Sequence, residues 1–252
     1  MVAKPKHRRQ HPGPTFPPMP HRAAIQAAIS PARMGTFMKA ARLPNDLQSA
    51  IDLYNWNAHV SGAFLHPLHI CEVVVRNAIS EAIEATHGAG WPWSRGFLLN
   101  LPDSGNFNPR KELVLAAEKV RRRHGPAAPT GAVVAEIKFA FWESMLTARF
   151  DAGLWDKHLH RVLPQVPRST KYSVVRASMN AQLKTLRHLR NRIAHHEPVF
   201  QMPLADHLDA ISQLVGMRCW HTRDWLMRSQ KVGGLLAARL SARQPDCAMT
   251  IP

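Results

Sequence analysis

Three observations predict an all-α fold, a single helical bundle. Apolar residues recur at three- and four-residue spacing along most of the chain. No segment alternates with the period of two that a half-buried strand requires. The breaks between periodic runs are short and carry Pro, Gly or Asn, as connections between packed helices do.

Taken in order, residues 1–22 hold six prolines with Lys4, Lys6, Arg8, Arg9 and Arg22. So few apolar side chains cannot offset the entropy of ordering, and a disordered basic arm is expected. Helical pattern begins near Ala23, and the helical domain is expected to span 23–228. Asn45 is placed to cap a run from Asp46 to His59, with Leu47, Ile51, Leu53, Tyr54 and Trp56 as its apolar contacts. Gly62 and Pro67 predict a bend or break.

From Leu68 to Ala85 the pattern is apolar almost all round, which marks a central helix. One polar stripe crosses it: His69, Glu72, Arg76 and Ser80 lie within about 80° on the helical wheel. Glu72 and Arg76, four residues apart, are expected to pair. The same stripe is also suited to face the polar arc of a later helix and support a site there.

Residues 87–109 are rich in Gly, Pro and Asn and read as a long surface loop, its aromatics Trp91, Trp93 and Phe97 packing onto the core or stacking bases. Asn108-Pro109 predicts a helix start, and Gly125 a stop after Arg121-Arg122-Arg123-His124. Cations at a helix C-terminus are electrostatically favourable in any case, so this cluster alone does not establish a phosphate contact. Thr130 is placed to cap a helix reaching about Phe150, with Phe139 and Trp142 as packing residues. A short basic helix follows over 154–163, and Pro164 and Pro167 break the chain. Ser169 or Thr170 restarts it into a long helix ending near His196. A last amphipathic helix is expected over about 204–228, followed by a weakly ordered tail, 229–252.

Charge narrows the function classes. Thirty-three Lys and Arg against 17 Asp and Glu give +16, a field that favours polyanions. Cys71, Cys219 and Cys247 are far apart and form no C-x-x-C pair, so a reducing, cytoplasmic setting is expected. No run of 18 or more consecutive apolar residues is present, and no membrane is expected as a partner.

Chemistry-bearing residues concentrate between Leu186 and Pro198: Arg187, His188, Arg190, Asn191, Arg192, His195, His196 and Glu197. Lys184, Arg187, His188, Asn191 and His195 share one arc of a helix, opposite Leu186, Leu189 and Ile193. Pro198 biases Glu197 away from helical angles. Arg190 borders the core arc, about 140° from His195. For both to reach one phosphate, the arginine must wrap round, the helix must distort, or a second subunit must supply the other half. Adjacent His195 and His196 point about 100° apart, and no carboxylate or cysteine cluster completes a ligand set, so no metal or cofactor is expected.

The Arg190-Asn191 pair followed after three residues by His195 resembles the signature of the HEPN superfamily, all-helical proteins that include metal-independent ribonucleases. The run Leu189–Pro198 is similar to the Abi-like (abortive infection) branch. Five other segments fit that branch in order: Ser30–Arg33, Leu53–Asn57, Leu68–Ile79, Phe139–Trp142 and Leu154-Trp155. The resemblance spans about residues 28–228 and implies a HEPN-type bundle that cleaves RNA as a toxin or phage-defence effector. It implies His195 as general base or acid, Arg190 as transition-state stabiliser and Asn191 as an orienting group. Glu72, Arg76, His69, Arg187 and His196 are then supporting or RNA-binding residues. It further implies a homodimer with a basic cleft at the twofold axis, and an antitoxin or phage component as a further partner. The contrasting reading of the same surface is a non-catalytic RNA-binding or partner-binding module.

Overall fold

The computed structural model describes residues 20–41, 46–105 and 107–243. Among them every regular element is helical and none is a strand. The expected arm falls almost wholly on residues 1–19, outside the described residues. The chain divides into two compact units rather than one, with the boundary between Ala58 and His59.

The first unit holds α1 (Pro20–Ile29), α2 (Pro31–Ala40) and the opening of α3 (Leu47–His87). Ser30 turns the chain between α1 and α2 at a φ of 94°, and its Oγ accepts the Arg33 N–H at 3.3 Å. Phe37 meets Tyr54 edge-on, with ring centroids 5.0 Å apart. Asp46 caps α3 by accepting from the Ser49 N–H at 2.9 Å and the Ser49 hydroxyl at 2.6 Å. Those bonds, the hydroxyl first, hold its carboxyl below the usual range. Asn45, the expected cap, lies outside the described residues.

The expected break in the next stretch does not occur. α3 runs for 41 residues through Gly62 and Pro67. Proline within a helix costs about 3 kcal/mol through one lost hydrogen bond and a ring clash. Against that stands a buried stripe that crosses Pro67 without interruption: Val60, Phe64, Leu68, Cys71, Val75, Ile79 and Ile83. Each large apolar side chain buried contributes roughly 1.5–3 kcal/mol, so packing outweighs the local penalty. By length and composition α3 is also apolar enough to cross a membrane, with a third of that window buried. A core helix meets the same criterion, and the helix contains no run of 18 consecutive apolar residues.

The second unit begins within α3. Residues 87–109 are not a loop: Trp91–Trp93 forms a 3₁₀ turn, and α4 (Arg95–Asn100) follows. Trp91, Phe97 and Leu101 are buried. The Trp91 indole donates to Ser80 Oγ at 3.2 Å, and its ring meets Phe97 edge-on at 5.3 Å. Arg110 at the start of α5 (Pro109–His124) ties the segment down. Its guanidinium donates to the carbonyls of Leu98, Leu99 and Leu101 and to the Asp103 carboxylate. The ends of α5 are as expected: Asn108 Oδ1 accepts the Lys111 N–H at 2.9 Å, and Gly125 stops the helix at a φ of 74°.

The helix expected from Thr130 to Phe150 is broken into α6 (Thr130–Glu136), α7 (Phe139–Ser144) and a 3₁₀ turn over Ala148–Phe150. Thr130 does not cap; its hydroxyl donates to the Ala89 carbonyl at 2.6 Å. The break has a tertiary cause. Buried Glu112 of α5 accepts the Lys138 backbone N–H at 3.2 Å and the Lys138 ammonium at 2.9 Å, holding Lys138 extended. An N–H given to a carboxylate cannot continue a helix ladder.

A π-helical turn, Asp151–Trp155, leads into α8 (Asp156–Val162), and then comes α9 (Tyr172–Ala194). The helix expected over 204–228 is interrupted by extended Cys219, giving α10 (Leu204–Arg218) and α11 (Trp220–Ser229). The tail expected to be weakly ordered carries α12 (Val232–Arg243), with Val232 buried, while 244–252 lie outside the described residues.

Glu112→Ala is expected to destabilise the second unit by about 2–3 kcal/mol in urea unfolding, because the Lys138 N–H and the α7 start lose their acceptor. Lys138→Ala removes only an exposed ammonium and is expected to cost less than about 1 kcal/mol.

Candidate functional site

α9 is amphipathic by construction. Val175, Met179, Leu183, Leu186, Leu189 and Ile193 form its buried stripe. Three arginines flank that stripe, each reaching a carboxylate on another element. Arg176 is bidentate to Asp151 at 2.8 and 3.0 Å. Arg187 donates to Glu143 of α7 at 2.6 Å. Arg190 lies 4.0 Å from Glu72 of α3, at the limit of an ion pair.

The C-terminal end is a Schellman turn. The His196 N–H bonds to the Ile193 carbonyl at 3.0 Å, and the Glu197 N–H to the Arg192 carbonyl at 2.8 Å. The helix therefore ends at Ala194, two residues before the expected stop. His196 occupies the left-handed position, φ 55°, which usually falls to glycine or asparagine. Arg192 fastens the turn from outside, donating twice to the Pro198 carbonyl at 2.7 and 3.1 Å and pairing with Glu197 at 3.2 Å.

His195 follows the last helical residue, its N–H bonded to the Asn191 carbonyl at 2.9 Å, and its imidazole is exposed. Asn191 and Arg190 are half-buried. Among the described residues no hydrogen bond joins Arg190 to His195, so one chain does not itself clamp the two groups together. Both reach solvent at the same helix end, with the Arg190 side chain 39% exposed. His188, His196 and His69 are also exposed.

The expected Glu72–Arg76 pair is not formed. Glu72 turns to Arg190 instead, and the half-buried Arg76 has a covered Nε without a hydrogen-bond partner. Glu72 thus meets α9 at Arg190, on the border of its core arc, and not at the polar arc that carries Asn191 and His195. Arg187 is committed to Glu143, which the sequence reading did not single out. A signal was there: Glu143 is the lone carboxylate after the aromatic run Phe139–Trp142, and a charge entering a core needs a partner. Among the described residues no group of three His, Cys, Asp or Glu is placed to hold a metal ion.

Cys71 adjoins Glu72 but is no nucleophile. Burial first, and the Glu72 charge second, push its thiol up to about 12. An open groove of about 490 Å³ lies elsewhere; Val174, Val175, Ser178, Met217, Trp220 and Arg223 are among its walls. It lies toward the start of α9, roughly 25–30 Å along the axis from His195. Beside Arg190, a cleft of only about 10 Å³ is lined by Glu72, Leu186 and Phe139 among others, while His195 stands on the exposed surface.

No protein-family model, curated protein or solved structure matches the chain.

Two outcomes are expected. With Cys247→Ser, a thiol titration at about pH 8 should register Cys219 in the native protein, whose thiol is lowered by hydrogen bonds from Thr222, and Cys71 only as the chain unfolds. His196→Gly should leave the structure intact and raise stability by up to about 1 kcal/mol, because glycine adopts the left-handed turn without the Cβ clash.

Proposed function

We propose that the chain is a metal-independent endoribonuclease of the HEPN, Abi-like type, acting through Arg190, Asn191 and His195. The observation that carries the proposal is the α9 tip. It presents an exposed imidazole and a guanidinium that is 39% exposed at one helix end. His195 removes the proton from a ribose 2′-hydroxyl. The freed oxygen attacks the adjacent phosphorus, and the bond to the departing 5′-oxygen breaks as that oxygen takes up a proton. The products are a 2′,3′-cyclic phosphate and a 5′-hydroxyl. General acid–base catalysis of this kind contributes roughly 10²–10⁴-fold. Arg190 stabilises the charge gathering on the phosphoryl oxygens, for which its planar fork is matched. Glu72 holds that fork in place without burying it, and Asn191 orients His195 or the phosphate.

Because no bond joins Arg190 to His195 within one chain, the complete site is a homodimer in which two α9 tips meet at a twofold axis. The setting follows the same resemblance: an RNA-cleaving toxin or phage-defence effector, restrained or triggered by an antitoxin or a phage component, in the cytoplasm.

Purified protein incubated with total RNA in EDTA should yield fragments ending in 2′,3′-cyclic phosphate. His195→Ala should lower the rate by at least about 10²-fold, and Arg190→Ala should do the same at unchanged helix content. RNA binding without cleavage under any condition would establish the alternative, a non-catalytic RNA-binding module. Unfolding of Arg190→Ala would assign that residue to the core instead.

A further inference from the structure

We infer that the last turn of α5, together with Trp93, is a second contact for single-stranded RNA, gripping its phosphates away from the α9 tip. This rests on the RNA reading above.

Arg121, Arg122, Arg123 and His124 close α5 and are all exposed. The guanidinium carbon of Arg121 sits 5.4 Å from the centroid of the half-buried Trp93 ring. Arg121 and His124 lie within about 60° of one another, while Arg122 and Arg123 fan to either side. No further helical turn lies above these side chains.

The local charge is not balanced from within. Two carboxylates serve four cations here. Glu136 accepts from Lys119 and attracts Arg123 at longer range, and those contacts, the Lys119 hydrogen bond first, hold its carboxyl below the usual range. Glu118 reaches Arg122 only at 3.9 Å. Among the described residues neither Arg121 nor Arg123 has an ion pair. The helix dipole favours each cation in a last turn, but three successive arginines also repel one another, and that repulsion rises with the number of pairs. An external polyanion relieves that repulsion.

The chemistry selects nucleic acid over a lipid surface. The residues beyond this turn, Gly125, Pro126 and Ala127, offer no large apolar side chain to enter a bilayer. A guanidinium laid on an indole presents a flat, cationic plate on which an unpaired base stacks, while its edge meets phosphate. Arginine, rather than lysine, fits both tasks.

The test uses the full chain carrying His195→Ala and a labelled oligouridylate of about 12 nucleotides, within the usual range of single-strand site sizes. Affinity is read by fluorescence anisotropy at rising KCl. Adding Arg121→Gln, Arg122→Gln and Arg123→Gln together should weaken binding about 10–100-fold. It should also lower the slope of log affinity against log salt by about 2, three contacts at about 0.7 each. Replacing the same three with Lys should keep most of the slope yet still weaken binding, which separates charge from misfolding. Trp93→Leu should weaken binding with little change in slope. Unchanged affinity and slope in the triple Gln variant overturn the contact. So does binding of the parent to phosphatidylserine vesicles that the triple variant loses while RNA binding persists. Absence of cleavage by wild type, with the salt slope still lowered in the triple variant, removes the nuclease and leaves the contact standing.

Discussion

Three arginines leave α9 toward the rest of the second unit, and each has to find a carboxylate, because a cation at the edge of a core is costly when unpaired. Asp151, Glu143 and Glu72 come from a π-turn, from α7 and from α3, so these pairs register three separate segments against one helix. The pairs are not equal. Arg176 and Asp151 are bidentate and only 12% and 22% exposed. Arg187 meets Glu143 in one short bond. Arg190 stands 4.0 Å from Glu72, with much of its side chain in water. The grip on α9 slackens along its length, from a firm anchor at its start to a guanidinium that is oriented yet available at its tip.

The end of the helix completes that arrangement. Arg192 spends its donors on Pro198 and Glu197, stitching a turn whose left-handed residue is a histidine. Three neighbouring arginines therefore have three distinct duties. Arg187 is structural, Arg192 fastens the turn, and Arg190 alone retains freedom to meet an anion. His195, past the last helical residue and outside the hydrophobic stripe, is exposed for the same reason that the helix stops there. An enclosed pocket would suit neither group as well as this open edge does if the ligand is a strand.

The net charge acquires a location in this description. α5 closes on arginines whose nearby carboxylates are too few or too distant to neutralise the tip, whereas at the end of α9 each arginine has a carboxylate, the loosest being Glu72 at 4.0 Å from Arg190. On the proposed reading, one tip holds the strand and the other performs the chemistry. That division accords with the difference between them: the α5 cations are exposed, whereas the α9 groups are held by Glu72 and by the capped turn.

Local pattern was sufficient for the all-α class, for the two ends of α5 and for the buried stripe of α9, because helical periodicity, Asn-Pro starts and glycine stops act over a few residues. It was also sufficient to place Arg190, Asn191 and His195 on one helix end and to see that Arg190 borders the core. Distant contacts decided the rest. Pro67 stays within a helix because side chains on both sides of it are buried together, and the run after Thr130 breaks because Glu112, far back in the chain, takes the Lys138 N–H. Glu72 prefers Arg190 to Arg76 because α9 lies across from it, a choice invisible to i,i+4 spacing. Sequence alone determined that basic residues, an amide and histidines gather at one helix end; only the tertiary structure decided which of them are tied down and which are free, since a charge chooses its partner by distance in space and not along the chain.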